Sequence, residues 1–136
     1  MTFRLAWRGV FALLIVLVTY ETLTPDIDKA RSGLAIARFI AEALFQNAQY
    51  ADKVAHFLAY ATLAGSATFA AIRIGGKRWA IILALAVYGV ALEILQGIGG
   101  VRIGDLADAA ANTSGAAFAF FAALAFESMV QRMRPA

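Results

Sequence analysis

Four long apolar segments divide the chain, and polar residues mark their ends. They run from Phe3 to Leu23, from about Asp52 to Ile74, from about Trp79 to Ile98, and from about Asp105 to Phe126. Each approaches the roughly 20 residues that a helix needs to cross a bilayer. The pattern predicts an all-α polytopic membrane protein with four transmembrane helices, folded as a single domain over residues 1–136.

The first segment has two interpretations, because a secretory signal peptide also begins with basic residues and an apolar core. Arg4 and Arg8 precede the apolar run here, and Trp7 suits a membrane interface. No small-residue cleavage motif follows the run, which leads instead into Thr24 and Pro25. We therefore expect a retained membrane helix that ends before the proline.

The stretch between the first two segments, from Asp26 to Ala51, mixes charged and apolar residues. Within it Ile36, Phe39, Ile40 and Ala43 recur at steps of three and four residues. This spacing predicts an amphipathic helix that lies at the membrane surface. An irregular loop is the alternative.

Composition and charge agree with a membrane protein. Hydrophobic residues make up 62% of the chain and charged residues 15%, against about 25% charged residues in soluble domains. The net charge of +3 does not indicate nucleic-acid binding, because the basic residues lie at the ends of apolar runs. The absence of cysteine excludes disulfides and thiolate chemistry.

The distribution of Lys and Arg predicts the orientation. Seven of the 12 lie at the N-terminus, near the turn at residues 75–78 or in the C-terminal tail, and five lie on the other side of the four spans. The positive-inside rule then places both termini in the cytoplasm of a bacterial inner-membrane protein.

Polar residues gather at the predicted outer ends of the second, third and fourth segments. Residues three, four or seven positions apart share one face of a helix. The groups are Asp52, Lys53, His56 and Tyr60; Glu93 and Gln96; and Arg102, Asp105, Asp108 and Asn112. Polar groups inside apolar runs are costly and usually functional. We expect these ten residues to converge, with Arg102 paired to an acidic side chain.

These three groups, in this order, resemble the VanZ-like family of small bacterial membrane proteins. The resemblance covers the core from Asp52 to Gly115 and includes the Asp52-Lys53-x-x-His56-Phe57-x-x-Tyr60 pattern. The family takes its name from a protein linked to teicoplanin resistance, so the resemblance implies a role in the cell envelope. It does not imply a defined reaction.

The polar cluster suits several functions. It could be a structural network that joins the helix ends, since buried charges must pair. It could bind a lipid headgroup, with Arg102 and Lys53 contacting phosphate and the carboxylates contacting sugar or amine groups. It could serve an enzyme with His56 or Glu93 as acid–base, or proton movement through membrane acids. We favour binding of an envelope-related amphiphile or protein partner over catalysis, and a structural subunit of a membrane complex is a further alternative.

We expect no cofactor and no metal. Glu93, Asp105 and Asp108 offer oxygen ligands for a hard cation, but their spacing matches no known ligand motif. The chain contains no serine-hydrolase, zinc-protease or phosphate-loop signature. The expected partners are membrane lipids, a lipid-linked envelope precursor or another membrane protein, and not nucleic acid.

Overall fold

Helices form nearly all of the part of the chain that the computed structural model describes, which is residues 2–24, 34–100 and 105–133. The described helices are α1 Thr2–Leu23, α2 Ala35–Phe45, α3 Ala51–Phe69, α4 Ala80–Ile98 and α5 Leu106–Arg132. A 3₁₀ turn, Ala48–Tyr50, joins α2 to α3. The all-α prediction is confirmed.

Three of the described helices are long and apolar enough to cross a membrane. They are α1 from Phe3, α4 and α5. The second predicted span, α3, is 19 residues long and ends at Phe69 rather than Ile74. Asp52, Lys53 and His56 lie in its first six residues and lower its hydropathy, so α3 does not meet the same criterion of length and composition.

The last helix is longer than the sequence pattern predicts. We expected a polar tail to begin at Glu127, but α5 continues to Arg132. The extra turns keep Glu127 in a fixed position on the helix, where its carboxylate meets Arg78. A charged side chain with a partner can therefore extend a helix beyond its apolar run.

The centre of the bundle is the contact between α3 and α5. A Cβ atom at Gly115 would lie 2.9 Å from the carbonyl carbon of Phe57, and closer still to its oxygen. A Cβ at Gly65 would lie 4.0 Å from the Cβ of Ala119. The small residues thus let the two helix backbones approach closely, as small-residue ridges do in membrane bundles.

Alternating helix directions bring polar residues together at two opposite ends. At the end that we call the acidic end, α1 and α4 finish and α3 and α5 begin, and Lys53 meets Asp105 there. At the end that we call the clamp end, Arg78 meets Glu127. Apolar packing around Tyr60, Leu63 and Phe120 fills the space between the two ends.

The amphipathic stretch does contain a helix, α2, and of the predicted stripe only Ile40 packs against the bundle. Its small residues Ala37 and Ala41 are buried and belong to the same apolar cluster as Val54 of α3. Ile36 and Phe39 are 71% and 72% exposed. The side chains of Ile36 and Phe39 therefore point away from the bundle.

The turn between α3 and α4 has the geometry of a tight hairpin. The backbone groups of Ile74 and Lys77 exchange two hydrogen bonds, at 3.0 and 3.1 Å. Gly75 and Gly76 between them have φ values of +56° and +78°, which side-chain-bearing residues rarely adopt. The turn places Arg78 at the start of α4, beside α5.

Candidate functional site

Lys53 joins α3 to the start of α5 at the acidic end. Its Nζ donates hydrogen bonds to Asp105 Oδ2 at 2.6 Å and to Asp108 Oδ1. Asp52 Oδ2 lies 3.7 Å from the same Nζ. The hydrogen bond from Lys53, with a second from the backbone N–H of Ala107, holds the pKa of Asp105 below its ordinary value. Carboxylate oxygens of Asp52, Asp105 and Asp108 thus surround the ammonium of Lys53.

His56 lies one turn deeper and is the meeting point of three helices. Its Nδ1 lies 3.0 Å from Asn112 Oδ1 and 4.0 Å from Glu93 Oε1. Its Nε2 lies 3.8 Å from Asp108 Oδ2 and 4.0 Å from Asp52 Oδ1. The carbonyl oxygen of Asn112 accepts from Nδ1–H, and Nε2 is left facing the two aspartates.

Glu93 connects α4 to the same cluster. Its Oε2 accepts a hydrogen bond from the backbone N–H of Asp105 at 3.3 Å. Asp105 in turn caps α5, since its side chain accepts from the N–H of Ala107 at 2.9 Å. The two carboxylates therefore fix the position at which α5 begins.

The deepest polar residues are Tyr60 and Asn112, both 2% exposed. Gly89 of α4 lies against them: a Cβ there would be 2.9 Å from Asn112 Nδ2 and 3.0 Å from the Tyr60 hydroxyl. The ring of Tyr60 also packs on that of Tyr88. Gly89 thus makes room for the amide that orients His56.

Gln96 turns away from this cluster towards α1. Its Nε2 donates to the backbone oxygen of Thr22 at 2.6 Å. Gln96 still borders the same cavity as His56. Arg102, and with it the predicted pair between Arg102 and an acidic side chain, lies outside the described residues.

The structure brings seven of the ten predicted site residues into one contact network. These are Asp52, Lys53, His56, Glu93, Asp105, Asp108 and Asn112. Asp108 is 4% exposed and Glu93 is 8% exposed. Four carboxylates thus surround one ammonium and one imidazole among the described residues, and two of the four, those of Glu93 and Asp108, are buried.

A cavity of about 420 Å³ opens beside the cluster, between α1, α3 and α4. Polar groups from Glu21, Thr22, Asp52, His56, Tyr60 and Gln96 line it together with the apolar residues Leu17, Val18, Leu34, Ala55 and Ala59. Cavities of this size hold small ligands. His56 and Asp52 belong both to the polar cluster and to the lining of the cavity, so the cluster is accessible from the cavity.

Three side chains of the cluster have the geometry of metal ligands. Asp52, His56 and Asp108 each place one ligand atom so that the three atoms lie within 4.8 Å of one another. This set differs from Glu93, Asp105 and Asp108, the cation ligands considered from the sequence, because the imidazole lies between the aspartates of α3 and α5. Spacing along one helix could not reveal a set drawn from two helices.

Sequence reasoning missed a polar contact at the middle of the bundle and another at the clamp end. The hydroxyl of Tyr88 lies 2.7 Å from that of Thr19 and donates to the backbone oxygen of Ile15. Arg78 donates two hydrogen bonds of 2.9 Å to the carboxylate of Glu127. One signal was available for the second pair, because Glu127 is the single acid on its predicted side of the membrane.

Comparison with known proteins places the chain in a family. Searches among curated proteins and among solved structures found no significant match. A sequence model of the family described as VanZ/LLP1 matches residues 8–127, which include α2, α3, α4, every described residue of the acidic end and Arg102. With most of its length matched, this membrane-spanning protein belongs to the VanZ/LLP1 family.

Proposed function

We propose that this protein binds an envelope-related amphiphile at the acidic end of its bundle. The observation that carries the proposal is the cavity between α1, α3 and α4, which has polar residues at one level and apolar residues at the next. Such a gradient fits a molecule with a polar head and a hydrocarbon chain.

The polar and apolar linings are ordered along the helices. On α1, Glu21 and Thr22 lie one turn beyond Leu17 and Val18, nearer the helix end. On α3, Asp52 and His56 precede Ala59. A headgroup would therefore contact the ends of the helices, and its chain would lie along the apolar surface below.

The charges of the lining favour a headgroup with an amine or several hydroxyl groups. Glu21 and Asp52 border the cavity, and no Lys or Arg does so among the residues that the structure describes. Lys53, expected to contact a phosphate, is held by Asp105 and Asp108 instead. Of the two headgroup chemistries expected from the sequence, the carboxylate contacts to amine or sugar groups have more support.

The proposed topology has four spans, with both termini in the cytoplasm of a bacterial inner membrane. α3 would be the fourth span, because it packs between α1, α4 and α5 and many of its residues are buried against them. Its lower hydropathy then costs little, since much of its surface faces protein rather than lipid. Its 19 residues span about 28 Å, close to the hydrocarbon thickness of a bilayer. α2 would lie at the outer interface with Ile36 and Phe39 in lipid.

A reporter fused after Arg134 tests this topology. We expect activity from a reporter that works in the cytoplasm, and activity only from one that works outside would refute the proposed orientation.

Native mass spectrometry of the protein, extracted from bacterial membranes, tests ligand binding. We expect a co-purified lipid whose headgroup carries an amine or hydroxyl groups. Ala59→Trp places a large ring in the cavity and should remove this lipid. Val87→Trp is the matched control, because Val87 is 71% exposed on α4 and should leave the lipid in place.

Two further results would contradict the proposal. If no lipid co-purifies with the unmodified chain, or if Ala59→Trp retains it as well as Val87→Trp does, the cavity is not the binding site. If Arg102→Ala loses the lipid while Glu21→Gln keeps it, the headgroup is recognised as a phosphate rather than through its amine or hydroxyl groups.

A further inference from the structure

We propose that Asp52, His56 and Asp108 bind a divalent transition-metal ion at the wall of the cavity. The three residues come from α3 and α5, and one ligand atom of each lies within 4.8 Å of the others. This inference rests on the geometry of the cluster and does not depend on the proposed amphiphile.

The first argument is the orientation of His56. Asn112 Oδ1 lies 3.0 Å from His56 Nδ1 and accepts its hydrogen, so in the neutral imidazole the lone pair is on Nε2. Metal-binding histidines are commonly held this way, with the second nitrogen donating to a carbonyl or carboxylate. Asn112 is 2% exposed, so solvent does not compete for this contact.

The second argument is the conflict that this orientation creates. Nε2 faces Asp108 Oδ2 at 3.8 Å and Asp52 Oδ1 at 4.0 Å. A lone pair that faces two carboxylate oxygens is unfavourable unless a proton or a metal ion lies between them. A metal ion at this point would convert three repelling acceptors into three ligands.

The third argument is that Lys53 occupies a different pair of carboxylate oxygens. Its ammonium contacts Asp108 Oδ1 and lies 3.7 Å from Asp52 Oδ2, whereas His56 faces the other oxygen of each aspartate. The ammonium can therefore hold the two carboxylates in place while their second oxygens bind the ion. Among the described residues, the carboxylates of the cluster outnumber its cations, which also favours a divalent cation.

The ligand atoms must move closer together to bind one ion. Ligand atoms at about 2.0–2.1 Å from a tetrahedral Zn²⁺ ion lie roughly 3.3–3.5 Å apart. The observed separations of His56 Nε2 from the two aspartate oxygens exceed this by about 0.5 Å. The ligand atoms of Asp52 and Asp108 lie within 4.8 Å of each other, so the two aspartate side chains would also rotate towards each other to close the site.

The ligand types indicate the class of ion. One imidazole and two carboxylates suit Zn²⁺ or Mn²⁺ better than Mg²⁺ or Ca²⁺, which prefer oxygen ligands alone. Three protein ligands leave a coordination position open. Two of them, Asp52 and His56, border the cavity, so the open position is accessible to a ligand there.

Because His56 is the only histidine of the chain, a histidine-specific reagent reports on this site without any mutation. The full chain is purified in detergent with a tag that lacks histidine, stripped with a chelator, and treated with diethyl pyrocarbonate near neutral pH. We expect Zn²⁺ or Mn²⁺ to slow the modification of His56 by at least about tenfold. An unchanged modification rate would overturn the proposal.

Direct titration with Zn²⁺ identifies the ligands. We expect one bound ion per chain, and a loss of affinity of at least about tenfold in His56→Gln and in Asp108→Asn. Asp105→Asn is the matched control, because Asp105 shares Lys53 with Asp108 but does not face His56. It should bind Zn²⁺ within about threefold of the unmodified chain.

Equal loss in Asp105→Asn and Asp108→Asn would overturn the specific site in favour of a diffuse attraction to acidic residues. Absence of binding to the unmodified chain would overturn it as well. If a variant fails to fold, the modification rate of His56 in the unmodified chain, with and without the metal ion, decides the test.

Discussion

The two polar ends of the bundle differ in how their charges balance. At the clamp end one guanidinium, that of Arg78, meets one carboxylate, that of Glu127, through two hydrogen bonds of 2.9 Å. Arg78 also donates to the backbone oxygen of Thr68 at 3.0 Å, so it joins α3, α4 and α5. This pair is neutral, and its polar groups serve the packing of three helices.

At the acidic end, the described carboxylates outnumber the described cations. Asp52, Glu93, Asp105 and Asp108 share Lys53 and a histidine among the described residues. A cluster that only joined helices would be more stable with its charges matched, because unmatched buried charge costs free energy. Among the described residues, the clamp pair is matched in charge and the acidic cluster is not, and the binding proposed for the acidic end draws on this difference.

The largest expected effect on stability comes from a substitution that separates α3 from α5, because these two helices contribute residues to both ends. Gly115→Leu forces a side chain into the backbone of α3 at Phe57. We expect a loss of about 3 kcal/mol or more in the free energy of unfolding, or failure to accumulate, as overpacking at a rigid contact predicts. Thermal unfolding in detergent measures it.

Gly97→Ala is the matched control for that substitution, since a Cβ at Gly97 meets nothing within 4 Å. It should be nearly neutral. If Gly115→Leu were equally neutral, the close contact of α3 with α5 would not hold the two ends together.

Replacing a glutamate by glutamine at each end tests how the two ends differ in their contribution to stability. Glu127→Gln removes the charged partner of Arg78 and should destabilise the protein by about 1–3 kcal/mol, the usual worth of hydrogen bonds to charged groups. Glu93→Gln reduces the excess of negative charge and can still accept the hydrogen bond from the N–H of Asp105. We expect it to be neutral or stabilising, as measured by melting temperature. A larger loss from Glu93→Gln than from Glu127→Gln would show that the acidic end is the structural one.

The smallest effect is a dependence on pH at the acidic end. The pKa of Asp105 is lowered chiefly by the hydrogen bond from Lys53, so its ionised form is favoured in the folded protein. Its contribution to stability is complete above the unfolded pKa of about 3.9 and is lost as the pH falls through the lower folded value. Melting curves of the unmodified chain should show this acid-side decline, and those of Asp105→Asn should show less of it. Identical curves would mean that this contact adds nothing to stability.

The sequence by itself determined most of the helices and the faces on which their polar residues lie. α1, α4 and the start of α5 agree within a residue or two with the apolar runs, because a long apolar segment in a bilayer must satisfy its backbone within a helix. Helical periodicity likewise placed Asp52 with His56, and Asp108 with Asn112, on shared faces. The glycine pair predicted the turn at residues 75–76.

Only the tertiary structure decided which of these faces meet. It paired Lys53 with Asp105 and Asp108, joined Gln96 to the backbone of Thr22 in α1, and placed His56 between aspartates of two helices. It also paired Arg78 with Glu127, 49 residues away in the sequence. The reason is physical: periodicity depends on neighbours within one helix, whereas partners across helices depend on how closely and at what height the helices pack. In this protein the close contact between Gly115 of α5 and the backbone of Phe57 in α3 fixes how these two helices are aligned along their axes.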